Sequence, residues 1–275
     1  MKAIIVLALL AYSVESRKVI EKCDGVIDVN NAEEEVLKNN IGSPYQLAID
    51  RDKDTLFFSY TREEKGESIF ELAFINLTNS EFKTVNGIVG GFANAVDEKS
   101  HTVYLGGENG IYTFDYKSNF ANHVDGTNHR VWQMFFKKYL YYTTYPEEEL
   151  YVLKNGQTQR VSQLNNTRAM LVAVDNFGNI FFSNSSGLYI YEEQKEKPNS
   201  ITHMGDYIIN SFTSDVQGNL YFSTPNSIYT IGSNKSVKQL IVLDDVYGFA
   251  IEQNGSLIYS TEDSIIRLKL NTKQC

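Results

Sequence analysis

The chain has 275 residues, 42% of them hydrophobic, 21% charged and 13% aromatic, and its 25 Lys and Arg stand against 34 Asp and Glu for a net charge of −9. That apolar content is too high for a disordered tail, and the negative charge opposes long-range attraction to nucleic acid or anionic lipid. With Tyr 18 and Phe 16 beside only 4 Pro and 1 Trp, the balance favours strands, on a length that suits one large all-β domain or two smaller ones.

Lys2 is followed by the apolar run Ala3–Ala11 and then by Tyr12-Ser13-Val14-Glu15-Ser16, the pattern of a secretory leader with compact residues at Val14 and Ser16. Cleavage after Ser16 is expected, leaving residues 17–275 as a single secreted domain. The run is about half the length a membrane anchor needs. Removing the leader deletes Lys2 and Glu15, so the net charge does not change. In an oxidising compartment Cys23 and Cys275 can pair, and such a bond would bracket the whole mature domain. Closing so long a loop stabilises by about 5 kcal/mol in the loop-entropy picture. Two free thiols, or an intermolecular link at the last residue, are the alternatives. Five sequons, at Asn76, Asn165, Asn184, Asn234 and Asn254, agree with export and glycosylation.

A short signature recurs along the mature chain. It reads Leu47–Asp50 leading to Leu56–Ser59, Asn94–Asp97 to Val103–Leu105, Gln133–Phe136 to Leu140–Thr143, Val172–Asp175 to Ile180–Ser183, Phe212–Asp215 to Leu220–Ser223, and Phe249–Glu252 to Leu257–Ser260. The third copy lacks the acid and has a shorter turn. Counted on the last residue of each first run (50, 97, 136, 175, 215, 252), the steps are 47, 39, 39, 40 and 37. The acid and the polar turn after it, as in Asp175-Asn-Phe-Gly178 and Asp215-Val-Gln-Gly218, predict a hairpin whose Gly takes positive φ and whose acid accepts local backbone N–H bonds. A third alternating run follows, such as Gly110–Asp115, Gly187–Tyr191, Ser227–Ile231 or Ser264–Leu270, and then a more polar fourth such as Ser236–Ile241. Four antiparallel strands in about 40 residues make one propeller blade. The predicted fold is therefore all-β, a six-bladed β-propeller. After Leu270 too few residues remain for a fourth strand, so a strand from the Val26–Asn40 region is expected to complete the last blade and close the ring. A regular β-sandwich explains the alternation but not the repeated signature.

In a propeller the innermost strands line a central channel, and the residues where they begin gather at one mouth. Counting back from each marker gives Tyr45 and Gln46; Phe92 and Asn94; Arg130, Trp132 and Gln133; Arg168 and Met170; Asn210 and Phe212; and Tyr247 and Phe249. The aromatic members can sandwich a planar conjugated ligand, while Arg130 or Arg168 can pair with its carboxylate. Aromatic rings also pack between blades, and about half of these six are expected to do only that.

Enzyme chemistry has thinner support. Calcium-dependent lactonases on six-bladed propellers hold the ion with carboxylates and amides at this mouth, and the thirteen positions include no carboxylate. Asp244 and Asp245 lie just upstream of the last blade and need a loop to bring them in. His101, His123, His129 and His203 lack metal-ligand spacing, no Gly-x-Ser-x-Gly elbow occurs, and Gly87-Ile-Val-Gly90-Gly91 reads as an interblade turn. No metal or catalytic cofactor is expected, and a calcium-dependent lactonase or esterase stands as the alternative function.

Ser43–Asp50, Ala95–Glu98 with Tyr104–Gly107 and Gly110–Tyr112, and Asp175–Ser183 carry a resemblance to the insect ommochrome-binding protein family, secreted haemolymph proteins of similar length. The resemblance covers the whole mature chain. It implies a secreted, non-catalytic carrier whose ligand is an ommochrome-type pigment or precursor: a planar, conjugated, acidic, tryptophan-derived small molecule such as xanthommatin. It supplies no ligand residues, so the thirteen positions rest on blade alignment alone. A monomer is expected, with neither nucleic acid nor membrane as partner.

Overall fold

Each copy of the repeat turns back on itself because its acid satisfies the backbone of its own turn. The computed structural model describes residues 32–193, 195, 197–202 and 208–269. In it Asp175 Oδ1 accepts from the Phe177 and Asn179 N–H groups at 2.8 and 2.9 Å, and Asp215 Oδ1 accepts from Gln217 and Asn219 at 2.8 and 3.1 Å. Asp97 caps its turn through Lys99 N and Ser100 Oγ. Gly178 and Gly218 close two of these turns at φ 84° and 79°, a conformation open to Gly without steric cost. The third copy, without an acid, turns more tightly, with Lys137 opposite Tyr139 and Lys138 alone at φ 58°.

The chain enters as β1 (Glu33–Lys38) and then lays down four-stranded antiparallel sheets in sequence order. Blade 1 is β2 (Gly42–Asp50), β3 (Thr55–Glu64), β4 (Glu67–Asn76) and β5 (Phe82–Thr84); blade 2 is β6 (Ala93–Asp97), β7 (Thr102–Gly107), β8 (Gly110–Asp115) and β9 (Phe120–His123). Blade 3 is β10 (Val131–Lys137), β11 (Tyr139–Thr144), β12 (Leu150–Lys154) and β13 (Gln157–Arg160); blade 4 is β14 (Leu171–Val174), β15 (Ile180–Asn184), β16 (Gly187–Tyr191) and β17 (Asn199–Thr202). Blade 5 is β18 (Ser211–Ser214), β19 (Leu220–Thr224), β20 (Ser227–Ile231) and β21 (Val237–Val242), and blade 6 is β22 (Gly248–Ile251), β23 (Leu257–Ser260) and β24 (Ile265–Lys269) with β1 on its outer edge. The innermost strands pack in a closed circuit, β2 on β6, β6 on β10, and so on to β22 on β2. The fold is a six-bladed β-propeller, and β1 supplies the missing strand expected from the sequence.

Second strands are apolar on both faces because each is covered by the blades on either side of it. Leu56, Phe57 and Phe58, Phe182, Phe222 and Leu257 are all fully buried. The hydroxyl that ends the signature has a separate task. Ser260 Oγ donates to the Pro44 carbonyl at 2.7 Å, Ser59 Oγ to Tyr45 O at 3.3 Å and Thr143 Oγ1 to Met170 O at 2.8 Å. These bonds hold the loops that lead into the inner strands.

Closure is electrostatic as well as hydrogen-bonded. The Arg267 guanidinium on β24 reaches Glu252 and Glu35 at 2.9 Å and the Leu77 carbonyl of blade 1 at 3.0 Å. It thereby clamps the edge strand, its own blade and the next. The Arg267 hydrogen bond holds the Glu35 carboxyl below its usual range, whereas burial pushes that of Glu252 up despite the same cation. Lys269 adds a rim contact to Glu33 at 2.8 Å. The leader at residues 1–16 and the pair Cys23 and Cys275 lie outside the described residues.

Candidate functional site

Three consecutive carbonyls set the mouth of the channel. The loop into β2 is bulged, with register shifts on both sides of Tyr45 and with Ser43 and Gln46 at positive φ, a device that re-aims a side chain. The Pro44, Tyr45 and Gln46 carbonyls are each held by a side chain, from Ser260 of blade 6, Ser59 of blade 1 and Asn94 of blade 2 respectively. Tyr45 therefore projects from a backbone fixed by three blades.

Around it runs an arc of rings. Tyr247 lies 5.2 Å from Tyr45 between centroids, and Tyr45 lies 5.9 Å from Phe92. Phe92 meets Phe70 edge-on at 4.7 Å and stacks on Trp132 at 4.3 Å; Trp132 stacks in turn on Tyr145 at 5.0 Å. The Arg130 guanidinium covers the far face of the series, 5.2 Å from the Tyr145 centroid, a cation–π contact. Met170, Leu171, Ile208, Ile209 and Pro225 from blades 4 and 5 complete an aliphatic wall opposite the rings. Together they enclose about 640 Å³, within the range of small-molecule sites. The polar groups in the wall are Gln46, Thr61, Ser68, Asn210 and one charged residue, Asp245.

A second cavity, of about 410 Å³, lies at the opposite end of the axis among the hairpin turns. Its character differs. Arg51, 12% exposed, spans it, donating to the Ile251 carbonyl at 2.8 and 3.0 Å and to Ser214 O at 2.8 Å, and pairing with Glu98. One side chain thus ties blades 1, 2, 5 and 6. Burial lowers the Arg51 pKa and the field of Asp215 opposes that shift, yet an arginine stays charged.

Of the thirteen positions aligned from the sequence, Tyr45, Gln46, Phe92, Trp132, Met170, Asn210 and Tyr247 line the mouth. Asn94 and Phe212 border the far cavity instead, with the Asn94 amide turned to Gln46 O. Gln133 is buried and bridges inner strands, exchanging hydrogen bonds of 2.8 and 3.1 Å with the Val172 backbone. Phe249 is wholly in the core between blades 5 and 6. These four are corrections, and the difference is one of depth: they lie within inner strands, one or two residues past the residue of the same blade that reaches the mouth (Phe92, Trp132, Asn210 and Tyr247), and so sit further inside the ring. The arginines also stand elsewhere than expected. Arg130 sits on the rim, 3.8 Å from Glu108, and Arg168 is 77% exposed and 4.0 Å from Glu148.

No family model matches the chain. Among curated proteins it is 34% identical over 271 residues to the ommochrome-binding protein of Manduca sexta, an alignment covering 96% of this chain and 97% of that one. The chain belongs to the ommochrome-binding protein family. Among solved structures it superposes on a proposed gluconolactonase with a TM-score of 0.70 at 9% identity, covering 89% of this chain and 94% of that one. It also superposes on a gluconolactonase from Xanthomonas campestris, with a TM-score of 0.68 at 14% identity over 91% and 96% of the two chains. A streptogramin B lyase follows at 0.57 and 11%, over 88% and 99%. At these identities the likeness is one of fold.

In this ommochrome-binding family member several mouth residues escape blade alignment. Thr61, Ser68 and Phe70 come from the β3–β4 hairpin, whose strands run to 10 residues each. The first step of the repeat, 47 where the others are 37 to 40, is the trace of that extension. Asp245 enters on the β21–β22 loop in the left-handed region at φ 61°, and nothing in the repeat marks it. Among the described residues, no group of three His, Cys, Asp or Glu side chains is placed to grip a metal ion, and no helix is long and apolar enough to cross a membrane.

Proposed function

We propose that the chain is a non-catalytic carrier that takes a planar, conjugated small molecule of the ommochrome type into the aromatic mouth. The observation that carries this reading is the Phe92–Trp132 stack at 4.3 Å, set in a fixed wall beside a cavity of about 640 Å³. Rigid rings give dispersion and quadrupole contact at little entropic cost. The relative from Manduca sexta is named for ommochrome binding, and the geometry suits a ligand of that shape. The pigment is bound cargo, with no catalytic cofactor, and the protein acts as a secreted monomer in haemolymph.

The hydrolase alternative draws on fold likeness alone. Among the described residues the mouth offers one carboxylate, Asp245, with the Gln46 and Asn210 amides, and the Asn210 amide already donates to Val246 O at 2.5 Å. A calcium ion takes about six to eight oxygens.

Titration with xanthommatin followed by its visible absorption decides between them. A carrier shifts the pigment spectrum with a stoichiometry of one and hydrolyses no lactone. Chelator-sensitive lactone hydrolysis with no spectral shift would overturn the proposal.

A further inference from the structure

Among the described residues, the wall of the mouth carries one charge, and it is negative: the described residues enclosing the cavity include no Lys, Arg or His, and Asp245 is their one acidic side chain. Its Oδ2 accepts from the Glu262 N–H at 3.2 Å, and among the described residues no cation stands within ion-pair distance of it. The loop that carries it is held in place. Val246 N–H donates to Pro225 O and Tyr247 N–H to Ser260 O, each at 2.9 Å, while Val246 O receives the Asn210 amide. Asp245 itself is at φ 61°, a region unfavourable for non-glycine residues and least so for Asn and Asp. A carboxylate is thus kept in a sparsely populated backbone conformation at the edge of an apolar cavity, a combination that recurs at ligand sites.

Next to it stand the two tyrosines that begin the ring arc, 5.2 Å apart and inclined at 45°. Tilted rings beside a carboxylate form a surface for a cation, whose charge meets the carboxylate and whose N–H or C–H groups meet the π faces. The basic side chains lie across the opening, with Arg130 beyond Tyr145 and Arg168 on the outer rim near Glu148. The two sides of the opening therefore differ, with the acid Asp245 on the blade 6 side and, on the blade 3 and 4 side, arginines that each stand beside a glutamate.

The geometry points to Asp245 as an ammonium subsite: the mouth selects planar aromatic ligands that carry a protonated primary amine, and orients them with that amine toward Tyr45 and Tyr247. This rests on the reading of the mouth as the ligand site, and it reverses the polarity first expected from Arg130 and Arg168. The ligand's acidic groups, where it has them, are directed out to the rim.

The test is a cycle between one protein group and one ligand group. Xanthommatin, whose amino-acid side chain bears a primary amine, and the same pigment N-acetylated are titrated by calorimetry into the wild-type chain and into Asp245→Asn. Asn keeps the left-handed backbone accessible and can still accept from Glu262, so the loop is preserved. Acetylation is expected to weaken binding about tenfold in the wild-type chain and less than twofold in the variant, because a charged hydrogen bond is present in only one corner of the cycle. Equal losses in both proteins would overturn the subsite while leaving the aromatic mouth intact. Failure of xanthommatin itself to bind the wild-type chain, or binding that Phe92→Ala leaves unchanged, would overturn the mouth and the subsite together.

Discussion

The two ends of the channel are built from the same six blades and serve different ends. At the turn end the backbone dictates the sequence: an acid must cap each hairpin and a residue must accept positive φ, so Asp175 and Asp215 repeat with their glycines, and Arg51 locks the bottom by hydrogen bonds to two carbonyls. At the mouth the loops meet no such demand. Once Ser59, Thr143 and Ser260 hold the loop carbonyls, side chains there differ from blade to blade, and the rings fall on blades 6, 1, 2 and 3 while aliphatic groups fall on 4 and 5. Where the repeat is strictest the residues stabilise the fold; where it lapses the residues are free to meet a ligand.

This contrast is broken most severely at its stable end. Replacing Arg51 by Ala removes a 12%-exposed guanidinium from the Ile251 and Ser214 carbonyls and unties four blades, and is expected to cost about 2 to 3 kcal/mol, the range for losing charged hydrogen bonds, since Glu98 is itself 44% exposed. Chemical denaturation measures it; pigment affinity at low denaturant should not change. A loss under 1 kcal/mol would mean the far end is not a strut. A second stability effect is expected in the β7–β8 hairpin, on the mouth side but outside the cavity wall: Gly110→Ala should cost about 2 kcal/mol or more, since Gly110 is at φ 128° and an added Cβ would collide with the Thr127 carbonyl; the thermal midpoint reads this.

At the mouth the expected order reverses, with large effects on binding and small ones on stability. Trp132→Ala should weaken pigment binding about thirtyfold, roughly 2 kcal/mol, as central aromatic anchors do. Arg168→Ala should alter it less than about twofold, because an exposed and loosely paired cation contributes little. A larger effect at Arg168 than at Trp132 would move the site from the wall to the rim.

A smaller, pH-dependent difference concerns the core. Burial pushes the hydroxyls of Tyr142 and Tyr259 up to about 12 from 10. A raised folded-state pKa contributes stability that is complete below pH 10 and is lost as pH rises through about 12. Alkaline unfolding, followed by circular dichroism together with tyrosinate absorption, should therefore begin above pH 10. Ionisation of every tyrosine near pH 10 with the fold intact would contradict this.

Most of the architecture was legible because the turns are local. The acid, the Gly three residues later where it occurs and the apolar run that follows are read from one stretch of chain, and β8, β16 and β20 begin and end where their sequence runs do. The edge strand was legible from a deficit at the C-terminus, and it arrives as Glu33–Lys38. The site was half legible. Counting back from a marker finds Tyr45, Trp132 and Tyr247, but it does not separate Phe249, which lies within β22 and packs between blades 5 and 6, from Tyr247 just before the strand. The amides were read as ligand groups, yet Asn94 and Gln133 are spent on interblade hydrogen bonds whose partners lie 39 or more residues away. Asp245 is placed by tertiary contacts of its loop, and Phe70 by an extension of one hairpin, so neither follows from the repeat.

The chain has one Trp, and it stands between Phe92 and Tyr145 in the wall of the mouth. Its emission is a direct reporter of whether that wall is where a planar pigment goes. Addition of xanthommatin should quench the Trp132 fluorescence saturably at one pigment per chain, with the same affinity as the shift in pigment absorption, and Phe92→Ala should weaken both together. A pigment spectrum that shifts on mixing while emission declines only in linear, unsaturating fashion would place the ligand elsewhere on the propeller.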